Sequence, residues 1–181
     1  MRMSAAVALL LALAATATGP STAAPPAFPG SLHDWNYALS DKSGRSVRLA
    51  DWKGSPAIVA MDHTGSAVIC SDTSRRLRAL QTAADRLGKR FEFIVISLDP
   101  ATDTPAGWQS YLRSISLPDA KWHFLRPSAE DARAIAQRLG VKHWLQDGFL
   151  VHDVMITRID ERGRVVRRLT GYDRDSERFL R

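Results

Sequence analysis

Cysteine is nearly absent. Among 181 residues there is one, Cys70, so no disulfide can close within the chain and stability has to come from packing. A lone thiol has three roles open to it: buried and inert, reactive toward an outside partner, or a metal ligand. Long apolar runs are also scarce. The run from Ala5 to Ala17 falls short of the roughly 20 residues that a membrane-spanning helix needs. Basic residues exceed acidic ones for a formal net charge of +6, yet they are scattered and not interleaved with aromatics. That argues against a nucleic-acid partner and leaves a solvated basic face suited to acidic partners or lipid head groups. Internal repeats are missing too, and no second domain is expected.

The first 24 residues read as a secretory signal peptide: Arg2 at the start, the apolar or small run, and Thr22-Ala23-Ala24 as the cleavage site. No cysteine sits near the cut, so a lipid anchor there is not expected. Retention of the signal as an anchor is the alternative to cleavage. The expected product is a soluble exported protein, suited to a bacterial periplasm. About 157 residues remain, from Pro25 to Arg181, enough for one domain with a core.

The stretch from Ala57 to Leu80 organises the rest. Ala57 to Met61 is an apolar run of strand length, broken by Asp62-His63-Thr64-Gly65-Ser66. A helix over about Ile69 to Leu87 follows, with Leu77, Leu80, Ala84 and Leu87 at helical spacing and Gly88 as its stop. The polar turn therefore falls at the carboxyl edge of a sheet, where open α/β folds collect ligands. Before it, Tyr37 to Leu39 and Val47 to Leu49 flank the turn Asp41 to Gly44 as a leader hairpin.

After it, Phe91 to Leu98 and Trp122 to Leu125 read as strands, and a third main strand, Val154 to Ile159, forms a hairpin with Val165 to Leu169. Thr104 and Pro105 open a helix that stops before Pro118. Ser128 caps another that runs to Leu139, followed by Gly140. His143 is placed in a loop, Asp99 and Asp103 are read as turn and capping residues, and His33, His123 and His143 as packing or surface. The order predicts a thioredoxin-like α/β domain, a mixed central sheet flanked by helices, with an N-terminal β-hairpin extension.

Several segments resemble the Sco/SenC proteins. FEFIVISLDPATDTPAGWQSYL carries the family's S-L-D-P-x-x-D-T-P loop, WHFL its W-x-F-L strand, QRLGV its helix end, and HDVMITRIDERGRVVRRLTG its H-S-x-x-I-x-L-I-D pattern. The resemblance covers nearly all of residues 25–181. It implies a thioredoxin fold, copper binding, and a part in assembling the copper centre of cytochrome c oxidase. Cytochrome oxidase subunits or other copper-handling proteins are the implied partners.

The family's Y-T-x-C-x-x-x-C-P motif reads here as His63-Thr64-Gly65-Ser66-Ala67-Val68-Ile69-Cys70-Ser71. Ser66 replaces the first cysteine, Cys70 is the second, and His152 stands at the family's metal-binding histidine. A serine hydroxyl is a poor ligand for Cu(I), and with one thiol no resolving cysteine exists for internal disulfide exchange. Thiol–disulfide oxidoreductase activity is therefore not expected. Four readings stay open. Copper binds through Cys70 and His152 with His63 as substitute ligand; Cys70 acts alone as a redox thiol; the fold serves as a non-catalytic binding module; or Cys70 is a buried hydrophobe.

Overall fold

The computed structural model describes residues 30–65, 72–115, 121–171 and 175–181. The expected signal peptide, and Ser66 and Cys70, lie outside these residues. Strand β3 (Ala57–Asp62) is buried along its whole length, which explains its unbroken apolar run: both of its faces are covered. Alternate residues feed two cores. Ile58 and Ala60 face one cluster, and Ala57, Val59 and Met61 the other.

In chain order the elements are β1 (Leu39–Ser40), β2 (Ser46–Val47), β3, α1 (Asp72–Arg86), β4 (Glu92–Ser97), α2 (Pro105–Ile115), β5 (Trp122–Leu125), α3 (Ala129–Leu139), β6 (His143–Gln146), β7 (Phe149–His152), β8 (Met155–Ile159), β9 (Val165–Thr170) and α4 (Ser176–Leu180). The main sheet has the order β5-β4-β3-β8-β9. β3, β4 and β5 run parallel; β8 and β9 close it antiparallel. The arrangement is thioredoxin-like, as expected.

One face of the sheet is covered by α1, α2 and α4. Leu77, Leu80 and Ala84 of α1, Trp108 and Tyr111 of α2, and Phe179 of α4 share its core. The other face is covered by α3 and the leader, through Ile135, Leu139, Leu32, Trp35 and Leu49. The hairpin extension is thus half of a core layer. Gly163, at φ +75, sits against it so closely that a Cβ there would fall on Ser31 Oγ and within 2.7 Å of the His33 ring.

Local signals match the helix ends. The Gly107 N–H donates to Thr104 Oγ1 at 3.1 Å at the start of α2. The Asp131 N–H donates to Ser128 Oγ at 3.0 Å at the start of α3, which ends at Gly140 with φ +79. In β5, Trp122 turns inward and stacks on Phe93, with centroids 4.6 Å apart, while His123 turns outward onto Glu92 at 2.7 Å.

One expectation fails. His143 does not lie in a loop: it begins β6, which pairs antiparallel with β7 and places His143 opposite His152. The connecting Asp147 and Gly148 have φ of 52° and 82°, the positive pair that a two-residue hairpin turn demands. Leu145 is 74 % exposed and Phe149 66 %. With so little buried on either face, the hairpin carries no inward–outward alternation from which a strand could be read.

Candidate metal centre

β3 ends in a carboxylate, Asp62, that is fully buried at the carboxyl edge of the sheet. Its Oδ1 accepts the N–H of His63 at 2.9 Å and its Oδ2 accepts the Tyr111 hydroxyl from α2 at 2.7 Å. His152, at the end of β7, turns its Nε2 toward Asp62 Oδ1 at 3.3 Å. Its Nδ1–H donates to the Asp153 carbonyl at 3.0 Å. That second bond fixes the tautomer, so a neutral His152 carries its lone pair on Nε2 and presents it to the site.

Burial of the His152 side chain, 7 % exposed, favours the neutral ring. The hydrogen bond and charge of Asp62, with help from Asp153, outweigh it and raise the pKa above the ordinary 6.5.

His63 lies against this pair. Its ring centroid is 5.7 Å from that of His152, edge to face at 68°. Its Nε2 is buried and has no hydrogen-bond partner among the described residues, an unusual state for a polar atom in a protein interior. The structure therefore brings together two of the predicted residues, His63 and His152. The other two, Ser66 and Cys70, fall outside the described residues.

The loop that carries His63 is clamped from the neighbouring strand. Asp103, fully buried, accepts both the N–H and the hydroxyl of Thr64 on Oδ1, at 2.8 and 2.6 Å, and the Ser97 hydroxyl on Oδ2 at 2.5 Å. Asp103 therefore ties the loop after β3 to the end of β4 and is not simply a turn or capping residue. Burial pushes its carboxyl up from the usual 3.8 despite the three donors. Asp99 does act as expected, its carbonyl accepting the N–H of Asp103 at 2.9 Å.

Asp62 and Tyr111 are the functional residues missed from sequence. The signal for Asp62 was a charge at the end of a wholly buried strand. Tyr111 offered only helical spacing, which reads as core.

The described residues supply a donor pair for a soft or borderline metal, two imidazoles in a water-poor pocket, with one nitrogen orphaned. Among the described residues no group of three or more His, Cys, Asp and Glu forms a ligand set; a third donor would have to come from outside them. The pair fits a copper site in chemistry, since imidazole nitrogens are ordinary copper ligands.

Comparison with known proteins bears on this site. The family model described as SCO1/SenC matches residues 28–180. The chain belongs to the SCO1/SenC family. No curated protein matches it at a significant level.

Among solved structures, BsSco, described as a member of the Sco family of cytochrome c oxidase assembly proteins, superposes with a TM-score of 0.74 at 17% identity, covering 86% of this chain and 92% of that one. Copper-bound ScoI of Bradyrhizobium japonicum is 26% identical, with a TM-score of 0.56 and coverage of 78% and 91%. Copper-bound yeast Sco1 is 21% identical, with a TM-score of 0.64 and coverage of 84% and 83%. The SCO1/SenC match takes in Ser66, Cys70 and His152 alike. Among the described residues no helix is long and apolar enough to cross a membrane.

Proposed function

We propose that this chain is a copper-handling accessory protein of the cell envelope that serves respiratory oxidase assembly. Copper is its cargo, held by Cys70 and His152, with His63 in place of the ligand lost at Ser66. The observation that carries the reading is the orphaned Nε2 of His63, buried beside His152. A polar atom left without a partner costs free energy in the folded chain, and a bound metal ion would offset that cost.

The donor set would be one thiolate and two imidazoles. The thiolate favours Cu(I), and the imidazoles suit either oxidation state. Copper bound at His152 displaces the proton facing Asp62, while the Asp153 carbonyl keeps the ring in place. Copper in the ScoI and yeast Sco1 structures, and the assembly role stated for the family of BsSco, support this assignment. With a single thiol the chain transfers metal by ligand exchange and does not turn over disulfides. Residues 1–24 direct export and are removed, and residues 25–181 meet cytochrome oxidase subunits or other copper-handling proteins outside the cytoplasm.

The test is an anaerobic Cu(I) titration of residues 25–181 against a competing chelator. Native chain should bind one equivalent, and Cys70→Ala and His152→Ala should each abolish competitive binding. His63→Phe should weaken it at least about tenfold. Ser66→Cys should tighten it. Failure of the native chain to bind, with binding created by Ser66→Cys, would overturn the proposal and leave a scaffold whose metal site is lost. Native binding unaffected by His63→Phe would remove His63 from the ligand set.

A further inference from the structure

The end of the sheet opposite Asp62 holds a second polar feature that copper handling does not use. An open cleft of about 320 Å3 lies between the starts of β3 and β4, the end of β8 and the last turn of α4. Arg158 of β8 lines it and is only 9 % exposed. Its side chain makes no hydrogen bond or ion pair with any described residue. Its register partner on β9 is another cation, Arg167. Burial first, and Arg167 second, both work against its charge. A largely buried arginine with no counter-charge among the described residues is costly in a folded chain.

The surroundings deepen the deficit. Lys89, which donates to the Leu180 carbonyl at 2.6 Å, Arg181, paired with Glu177 at 3.3 Å, and Arg90 also line the cleft, against two acids, Asp160 and Glu161. Asp160 is already committed: its Oδ1 accepts the N–H groups of Arg162 and Arg164, and its Oδ2 accepts Arg164 Nε at 2.9 Å. The β8–β9 register shifts between Arg158 and Ile159, leaving Val166 of β9 as the extra residue, and this bulged residue lines the cleft. Val166, 46 % exposed, and the edge of Phe91 supply apolar wall beside the cations.

We propose that this cleft binds a small organic anion, a carboxylate or phosphate monoester with a compact apolar body. The anionic group pairs with the Arg158 guanidinium in the forked geometry that arginine offers to carboxylate and phosphate. The body lies on Val166 and Phe91. The volume is at the lower end of small-molecule sites and excludes anything large. The site is independent of the copper centre, and its test needs no metal.

Isothermal titration of the metal-free full chain with phenyl phosphate, benzoate and inorganic phosphate is the experiment. Phenyl phosphate or benzoate should saturate at one equivalent, with inorganic phosphate at least about tenfold weaker because it lacks the apolar body. Arg158→Met, which keeps the length and removes the charge, should lower that affinity at least about tenfold, whereas Arg75→Gln on the remote face of α1 should not. Without ligand, Arg158→Met should melt at a higher temperature than the native chain. Should that variant not fold, amide NMR of the native chain decides: probe-induced shifts should centre on Phe91, Arg158 and Val166. Absence of saturation with all three probes, undiminished binding by folded Arg158→Met, or shifts centred elsewhere would each overturn the assignment.

Discussion

Asp62→Asn separates the two tasks of the buried carboxylate. The amide oxygen can still accept the His63 N–H, and the amide NH2 in place of Oδ2 can donate to a reoriented Tyr111 hydroxyl, but the charge facing His152 Nε2 at 3.3 Å is gone. Burial, the largest influence on His152, then acts without opposition from Asp62. The ring in the variant should titrate below 6.5, where the native ring titrates above it.

Because the native pKa is raised, the pair stabilises the fold fully below about pH 6.5, and the contribution is lost as pH rises through the native value. A hydrogen bond to a charged group contributes about 1.5–3 kcal/mol. Side-chain exposures of 7 % and 0 % leave little solvent screening, while the 3.3 Å separation favours the lower part of that range. Urea denaturation of the metal-free chain should therefore find the variant about 1.5–2 kcal/mol less stable near pH 5.5, with the gap shrinking to about 0.5 kcal/mol near pH 8.5. Histidine NMR titration should follow the shift directly. An equal stability loss at both pH values, or a His152 titration unmoved by the substitution, would refute the reasoning.

Asp103→Ala should cost about 2–4 kcal/mol by denaturant unfolding, because the Thr64 and Ser97 donors lose their acceptor. Asp103→Asn should cost less at neutral pH: the native carboxyl has a raised pKa, so its ionisation penalises the fold as pH climbs through that value. Gly163→Ala should lower stability by about 1–3 kcal/mol and speed protease cleavage in the leader, since φ +75 and the contact with His33 both oppose a Cβ. His33, whose pKa is lowered chiefly by burial and then by Lys53 against weaker pulls from Asp34 and Asp160, should cost stability as pH falls below 6.5 toward its native value. In His33→Leu that acid-side loss should vanish from a melting-temperature profile against pH.

The strands of the main sheet were legible because burial on both faces leaves an unbroken apolar run, as in β3 and β4. Helix ends were legible where a single residue type satisfies backbone groups, as at Ser128 and Gly140. The β6–β7 hairpin escaped, although Asp147-Gly148 is a turn signal, because exposed Leu145 and Phe149 make the strands look like a loop with apolar residues in it. His152 was found through the family resemblance at its position, and nothing in its local sequence singles it out. Its relation to Asp62, 90 residues away, depends on β7 reaching the end of β3.

By itself, the sequence determined the layer order, the two-sided core and the single thiol at Cys70. These follow from periodicity, caps and residue identity, which are local properties. Only the tertiary structure decided that Asp62 holds Tyr111, His63 and His152 together, and that Arg158 lies beside Arg167 with no counter-ion among the described residues. Charge pairing acts through space, and residues far apart in the chain acquire partners, or lack them, only when the sheet closes.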